Sequence, residues 1–152
     1  MAVVLGDLLH EQQVKLELAA RTRDEALREI VGLLPANVER DKLLVEMIAR
    51  EHLHTTYIGH GVALPHARTE LVPDIMLAIG RSREGVTFGE KSERAHLIFA
   101  IGVPRRMVTD YLVCVGGLAR LASDEKTRQA MMAAETPSDF VTLLRKASLV
   151  LE

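Results

Sequence analysis

A histidine that directly follows a proline is the group in this sequence best suited to chemistry. Pro65 fixes its own φ and biases Leu64 toward an extended conformation, so the backbone that leads into His66 is stiff. Two glycines upstream allow a tight loop, and Arg68 follows two residues later. A rigidly presented imidazole beside a guanidinium suits a nucleophile that carries an anionic group, and phosphate is the obvious candidate.

The segment 50–66 carries a longer pattern, REHLHTTYIGHGVALPH. It resembles the active-site signature of the fructose, mannitol and nitrogen-type EIIA domains of the bacterial phosphotransferase system, roughly R-E-x-L-x-[ST]-T-G-I-G-x-G-[VI]-A-[IL]-P-H. In that family the last histidine of the signature is phosphorylated, on Nε2. The resemblance extends over nearly all 152 residues in the order of elements, and it implies that His66 is a phosphoacceptor.

The same resemblance assigns roles to other residues. Arg50 matches the signature arginine at the phosphorylation site, where a bidentate guanidinium would balance the phosphate charge; the alternative is an ion pair with Glu46, four residues earlier on the same helix. Thr56 falls on the signature threonine and is expected to donate a hydrogen bond to the phosphate. Apart from the resemblance, Arg68, two residues after His66, is either solvated surface or a secondary phosphate contact, and His60 is expected as another secondary phosphate contact.

Three departures from the family pattern leave two interpretations open. Tyr57 stands where glycine is usual, and His60 stands where asparagine is frequent. Many members carry a second histidine at the start of the helix after the strand that ends near Val103, and Tyr111 aligns with it. Tyrosine can hydrogen-bond an imidazole or a phosphate, but it supplies no positive charge at neutral pH. The chain is therefore either a phosphohistidine carrier or a regulatory protein-binding module of the same fold, in which phosphotransfer is weakened or lost.

The resemblance also implies the partners. His66 would accept phosphate from the histidine-containing phosphocarrier protein and donate it to an EIIB component, or its phosphorylation state would regulate a protein partner. Since two proteins must bring their active residues together, we expect a shallow apolar docking face around this histidine. The sequence contains no EIIB or EIIC segment, so any transporter is expected to be a separate chain. No cofactor is expected.

A metal site is the third interpretation. His52, His54, His60 and His66 lie within fifteen residues, and zinc accepts neutral imidazoles. The H-x-H pair falls across the end of a helix, however, and no carboxylate–histidine motif accompanies it. We therefore expect no metal.

Composition restricts the class of protein. The 152 residues with 48% hydrophobic content are enough for one core, and a single domain over 1–152 is expected. A formal net charge of -2 and 3% aromatic residues provide neither a basic surface nor stacking platforms, so a nucleic-acid partner is not expected. No apolar run approaches the roughly 20 residues that span a bilayer, so no membrane insertion is expected. The single Cys114 excludes an internal disulfide and agrees with a cytoplasmic location.

Hydrophobic periodicity predicts the elements that must position His66. Continuous apolar runs at 75–79 and 97–103 are typical of strands buried on both faces. Helices are expected from a cap at Thr22 to about Leu34, in a second segment that ends at about Glu51, and over 107–122, where close packing is expected at Gly116 and Gly117. Two more are expected after a cap at Ser123 and from Pro137. This alternation predicts an α/β protein, a three-layer α/β/α sandwich. The resemblance implies the same fold, with a mixed central sheet.

Overall fold

A six-stranded mixed sheet forms the centre of the computed structural model, which describes residues 5–149. The strands are β1 (Val14–Lys15), β2 (Tyr57–Gly59), β3 (Val62–Ala63), β4 (His66–Thr69), β5 (Met76–Thr87) and β6 (Arg94–Pro104). The helices are α1 (Arg23–Val31), α2 (Arg40–Leu53), α3 (Val108–Ser123), α4 (Glu125–Ala133) and α5 (Pro137–Leu149), preceded by two short 3-10 helices at Leu5–Leu8 and Glu11–Gln13.

The two long strands β5 and β6 pair antiparallel, while β1 is parallel to β5. On the other side of β6, both β3 and β4 pair parallel to it, and β2 closes this edge antiparallel to β3. The sheet is therefore mixed, as the sequence predicted.

Alternate residues of β6 enter two separate cores. Leu97, Phe99 and Ile101 pack on the face covered by α3, α4 and α5, whereas Ile98 and Ala100 pack on the face covered by α1 and α2. Because successive side chains of a strand point to opposite faces, an uninterrupted apolar run is what a sheet between two helix layers requires. The predicted three-layer sandwich is confirmed.

The strand β5 is longer than its apolar run predicted, since it continues to Thr87 through polar residues. Arg81 shows how a charged residue fits in the buried part of this strand. Its side chain is 2% exposed, and its guanidinium donates to the carbonyl oxygens of Leu16, Met131 and Ala134 at 2.7–3.1 Å. The last two carbonyls belong to the end of α4. A charged side chain inside the strand therefore ties a helix terminus to the sheet, which an apolar pattern does not reveal.

Two helix starts differ in detail from the predictions. Ser123 is the last residue of α3, and the cap of α4 is Asp124, whose carboxylate accepts from the Thr127 N–H at 3.0 Å. Thr22 does precede α1, but its hydroxyl donates to the Glu25 carboxylate at 2.6 Å instead of accepting from a backbone N–H.

Over residues 5–149, no helix is both long enough and apolar enough to cross a membrane.

Candidate active site around His66

The position of His66 follows from the pairing of β4 with β6. Pro65 separates β3 from β4, and its carbonyl oxygen accepts from the Ile101 N–H at 2.9 Å. His66 then begins β4 opposite Ile101, with its side chain 8% exposed. The proline thus interrupts the strand without removing a ladder bond, since only its carbonyl is needed there, and β4 continues in the same direction and register as β3.

A hydrogen bond to the backbone shows which nitrogen of the His66 ring carries the proton. Its Nδ1 lies 2.9 Å from the carbonyl oxygen of Leu64. Because a carbonyl can only accept, Nδ1 carries the hydrogen, and the lone pair of the neutral ring is on Nε2.

Tyr111 lies against that second nitrogen. Its hydroxyl oxygen is 3.0 Å from His66 Nε2, and the two ring centroids are 5.3 Å apart with planes inclined by 51°. Since Nε2 has only a lone pair to offer, the phenol O–H donates to it. The structure therefore brings Tyr111, in the first turn of α3, to the place that the sequence alignment assigned to it.

The surroundings lower the pKa of His66 below the usual value of a histidine. Burial is the largest cause, because it penalises the charged ring, and the nearby Arg50 guanidinium acts in the same direction. The hydrogen bond to the Leu64 carbonyl and the Glu51 carboxylate act in the opposite direction. The imidazole is therefore neutral at pH 7, the form in which its nitrogen is a nucleophile.

Two arginines share a surface pocket of about 480 Å³ with His66. Arg68 lies two residues along β4 and is exposed, and Arg50 comes from the last turn of α2. The pocket is lined by Glu46, Ala49, Arg50, Leu53, His66, Ala67, Arg68 and Tyr111. It combines a nucleophilic nitrogen with two cations, which suits a dianionic phosphoryl group.

The alternative ion pair between Glu46 and Arg50 is absent within the described part of the chain. The Glu46 carboxylate accepts from the Thr69 hydroxyl at 2.8 Å, and the Arg50 guanidinium donates to the His54 carbonyl oxygen at 2.9 Å. That bond folds the arginine over the end of its own helix, where a cation is favoured by the helix dipole.

Glu51 is a site residue to which sequence reasoning gave no role. Its carboxylate is 2% exposed and accepts from the Thr56 N–H at 2.7 Å and from the Thr56 hydroxyl at 2.8 Å. The Thr56 hydroxyl is thus already bonded, and a bond from it to a phosphate would require release of Glu51. The available signal was the position of this glutamate directly after Arg50 in the signature.

The structure does not bring His60 to His66. His60 instead lines a second pocket of about 640 Å³, together with His96 and Arg128. The carbonyl oxygen of Gly61 accepts from the His96 N–H of β6, and that of Pro65 accepts from the Ile101 N–H. Since these two positions of β6 are five residues apart in an extended strand, the two sites are about 17 Å apart. Only five residues lie between the two histidines in sequence, but the intervening chain is extended.

Tyr57 has a structural role in the loop that carries His60. Its phenol oxygen accepts from the Gly61 N–H at 3.0 Å, and the three residues 59–61 all have positive φ. This departure from the family pattern therefore supports a turn and lies outside the pocket of His66. Over residues 5–149, no three His, Cys, Asp or Glu side chains converge as metal ligands, and His52 lies instead 3.6 Å from Asp24.

One exposed apolar side chain lines the pocket of His66, and two more flank Tyr111 along α3. Leu53 lines the pocket and is 83% exposed. Val108 precedes Tyr111 by one helical turn and is 42% exposed, and Leu112 follows it at 62%. Large apolar residues this exposed, next to a nucleophile, are typical of a surface that another protein covers.

Comparison with known proteins assigns the chain to a family. The model of the family "Phosphoenolpyruvate-dependent sugar phosphotransferase system, EIIA 2" matches residues 7–147. The chain is 26% identical over 146 residues to the PTS system fructose-specific EIIABC component of Bacillus subtilis, covering 93% of this chain and 23% of that protein. It is 34% identical over 99 residues to the PTS system fructose-specific EIIA component of Haloferax volcanii, covering 64% of each. The chain thus spans less than two thirds of either relative.

Solved structures give the same assignment. The nitrogen regulatory protein IIA-Ntr from Neisseria meningitidis superposes with a TM-score of 0.82 at 25% identity, covering 93% of this chain and 99% of that one. IIA mannitol from Escherichia coli superposes with a TM-score of 0.76 at 25% identity, covering 90% and 98%. With a family match over residues 7–147 and the same mixed α/β fold, this chain belongs to the EIIA type 2 family of phosphocarriers of the sugar phosphotransferase system, the family that includes the fructose, mannitol and IIA-Ntr types.

Proposed function

We propose that this chain carries a phosphoryl group on Nε2 of His66. The observation that supports this most directly is the bond from Nδ1–H to the Leu64 carbonyl, which leaves Nε2 as the nucleophilic nitrogen of a neutral ring. Arg50 and Arg68 line the same pocket and would balance the charge of the phosphohistidine.

The transfer is a displacement at phosphorus between two imidazoles. The Nε2 lone pair of His66 attacks the phosphorus of the donor phosphohistidine, and the donor P–N bond breaks with its electron pair returning to the donor nitrogen. In a second displacement, a thiolate or imidazole of the acceptor attacks the phosphorus. The P–N bond to His66 then breaks with its electron pair returning to Nε2, and the histidine is again unphosphorylated. No proton needs to leave Nδ1, so the bond to Leu64 persists throughout.

The donor in this proposal is the histidine-containing phosphocarrier protein, and the acceptor is an EIIB component or a regulated protein. A solved complex contains enzyme IIAMTL and phosphorylated enzyme IIBMTL from Escherichia coli, and its EIIA fold superposes here with a TM-score of 0.79. The apolar border formed by Leu53, Val108 and Leu112 supports docking of such a partner over His66.

A regulatory module without phosphate cycling is the second candidate. One observation favours it: Tyr111 occupies the place of the family's second histidine and contributes a neutral phenol where an imidazolium would be cationic. In that case the apolar border would bind a partner irrespective of the state of His66.

Labelling distinguishes the two candidates. Incubation with phosphoenolpyruvate, the first enzyme of the system and the phosphocarrier protein should label the wild type, and His66→Ala should abolish the label. His60→Ala is the matched control and should be labelled like the wild type, since His60 lines another pocket. Persistent labelling of His66→Ala would overturn the assignment. An unlabelled wild type, with label restored by Tyr111→His, would favour the regulatory module.

A further inference from the structure

Both ring nitrogens of His66 already have partners in the unphosphorylated protein. Nδ1–H donates to Leu64, and the Tyr111 hydroxyl donates to Nε2 across 3.0 Å. A phosphorus atom that is about to be attacked must lie along the Nε2 lone pair at about 3–3.5 Å. The phenol oxygen therefore occupies the position that the incoming phosphorus needs.

The phenol has room to leave. Tyr111 is only partly buried, it lines the pocket of about 480 Å³, and its hydroxyl bonds to no other described group. It stands in the first turn of α3, next to the exposed Leu112. Rotation of this side chain into the pocket breaks one hydrogen bond and moves a ring that packs at the edge of the core, while the buried residues Cys114 and Leu118 of α3 keep their places in that core.

We propose that Tyr111 gates the nucleophile: its O–H caps Nε2 in the resting protein, swings aside when a phosphoryl donor docks, and then donates to an oxygen of the phosphoryl group. This rests on the proposed function of His66 and concerns how that reaction is controlled. During the step the phenol keeps its proton, and only the P–N bond is exchanged.

The gate predicts that two rates rise when the hydroxyl is removed. Removing the hydroxyl uncaps Nε2, so acceptance of phosphate becomes faster. Removing it also deletes a donor to the phosphoryl group, so the phosphohistidine becomes shorter-lived. A residue that only supports the fold would change neither rate in this paired way.

Phosphoramidate, a small phosphoryl donor that needs no partner protein, tests this directly. Tyr111→Phe should accept phosphate roughly fivefold faster than the wild type, the factor that corresponds to the loss of one neutral hydrogen bond, and should lose it faster afterwards. Tyr111→Leu, which removes the ring as well, should accept at least as fast. The matched control is Tyr57→Phe, the other tyrosine of the chain, whose hydroxyl serves the Gly61 turn and whose loss should leave both rates unchanged.

Nitrogen NMR of the unphosphorylated protein provides a readout independent of transfer. The Nε2 resonance of His66 should move in Tyr111→Phe toward that of a lone pair without a donor, while Nδ1 stays unchanged. Equal Nε2 frequencies, or slower acceptance by a folded Tyr111→Phe, would overturn the gate and leave His66 as phosphoacceptor. If neither the wild type nor the variants take phosphate from phosphoramidate or from the phosphocarrier protein, both proposals fail.

Discussion

The carboxylate of Glu51 holds both the N–H and the hydroxyl of Thr56, at 2.7 Å and 2.8 Å, inside the protein. The Thr56 carbonyl oxygen in turn accepts from the Leu64 N–H at 3.1 Å, and the Leu64 carbonyl oxygen accepts from His66 Nδ1–H. A buried charge at the end of α2 is therefore connected, through two backbone segments, to the orientation of the imidazole. We therefore expect Glu51 to position the ring of His66 through the segments that hold Thr56 and Leu64.

Replacing Glu51 by alanine should destabilise the protein by about 3 kcal/mol, because it leaves the buried N–H and hydroxyl of Thr56 without an acceptor. Urea denaturation measures this free energy of unfolding. Glu51→Gln is the matched variant: it keeps one carbonyl oxygen for the N–H, and the Thr56 hydroxyl can turn to accept from the new amide. It should lose less than half as much, and equal losses in the two variants would contradict the proposed geometry.

The lowered pKa of His66 makes its contribution to stability depend on pH. Since the folded protein binds the proton less readily than the unfolded chain, this contribution is fully present above the unfolded value near 6.5 and is lost as the pH falls through the lower folded value. The wild type should therefore lose stability below pH 6.5 more steeply than His66→Gln, which has no titrating group there.

Urea midpoints of the two proteins between pH 7.5 and 4.5 check this sign. The groups around the ring are Arg50, Glu51 and Tyr111, of which the two charged residues act in opposite directions on its pKa. Their other contributions to stability cancel in the comparison. A steeper loss in His66→Gln would show that the histidine is stabilised in its charged form.

Gly61 is the glycine of the signature loop with the least room for a side chain. It has a φ of 75°, and a Cβ there would lie 2.9 Å from Cδ2 of His96, whose ring is held by a hydrogen bond to the Ser82 carbonyl oxygen. Gly61→Ala should therefore destabilise the protein by about 2 kcal/mol, from left-handed backbone strain and overpacking together.

Gly116 is the control for this substitution. It lies inside α3, and the nearest atom to a Cβ there is the flexible end of Arg120 at 3.5 Å, so the close packing expected from the sequence is absent. Gly116→Ala should stabilise the protein by up to about 1 kcal/mol through helix propensity. Thermal unfolding of both variants measures the contrast, and a stabilised Gly61→Ala would contradict the strain argument.

The sequence predicted well those helices and strands whose position depends on residues adjacent in the chain. The apolar run of β6 predicted a strand buried on both faces, and Pro137 marked the first residue of α5. The far half of β5 was missed because Arg81 breaks the apolar pattern, and its partners are carbonyls at least fifty residues away. Sequence propensities reflect neighbouring residues only, whereas the hydrogen bonds of Arg81 form only after α4 has packed against the sheet.

The sequence by itself determined the family and predicted His66 as the nucleophile, because a seventeen-residue signature ends at this histidine and needs no tertiary context to be recognised. Only the tertiary structure decided which hydrogen bonds the predicted residues make and which of them stay apart from His66. Pairing of β4 with β6, together with packing of α3 on the sheet, brings the Tyr111 hydroxyl to Nε2 of His66, 45 residues away. The extended chain from β3 into β4 leaves His60, which precedes β3, at the other pocket. Distance along a chain and distance in space are related only through strand register and helix packing, and both are set by burial of the two cores.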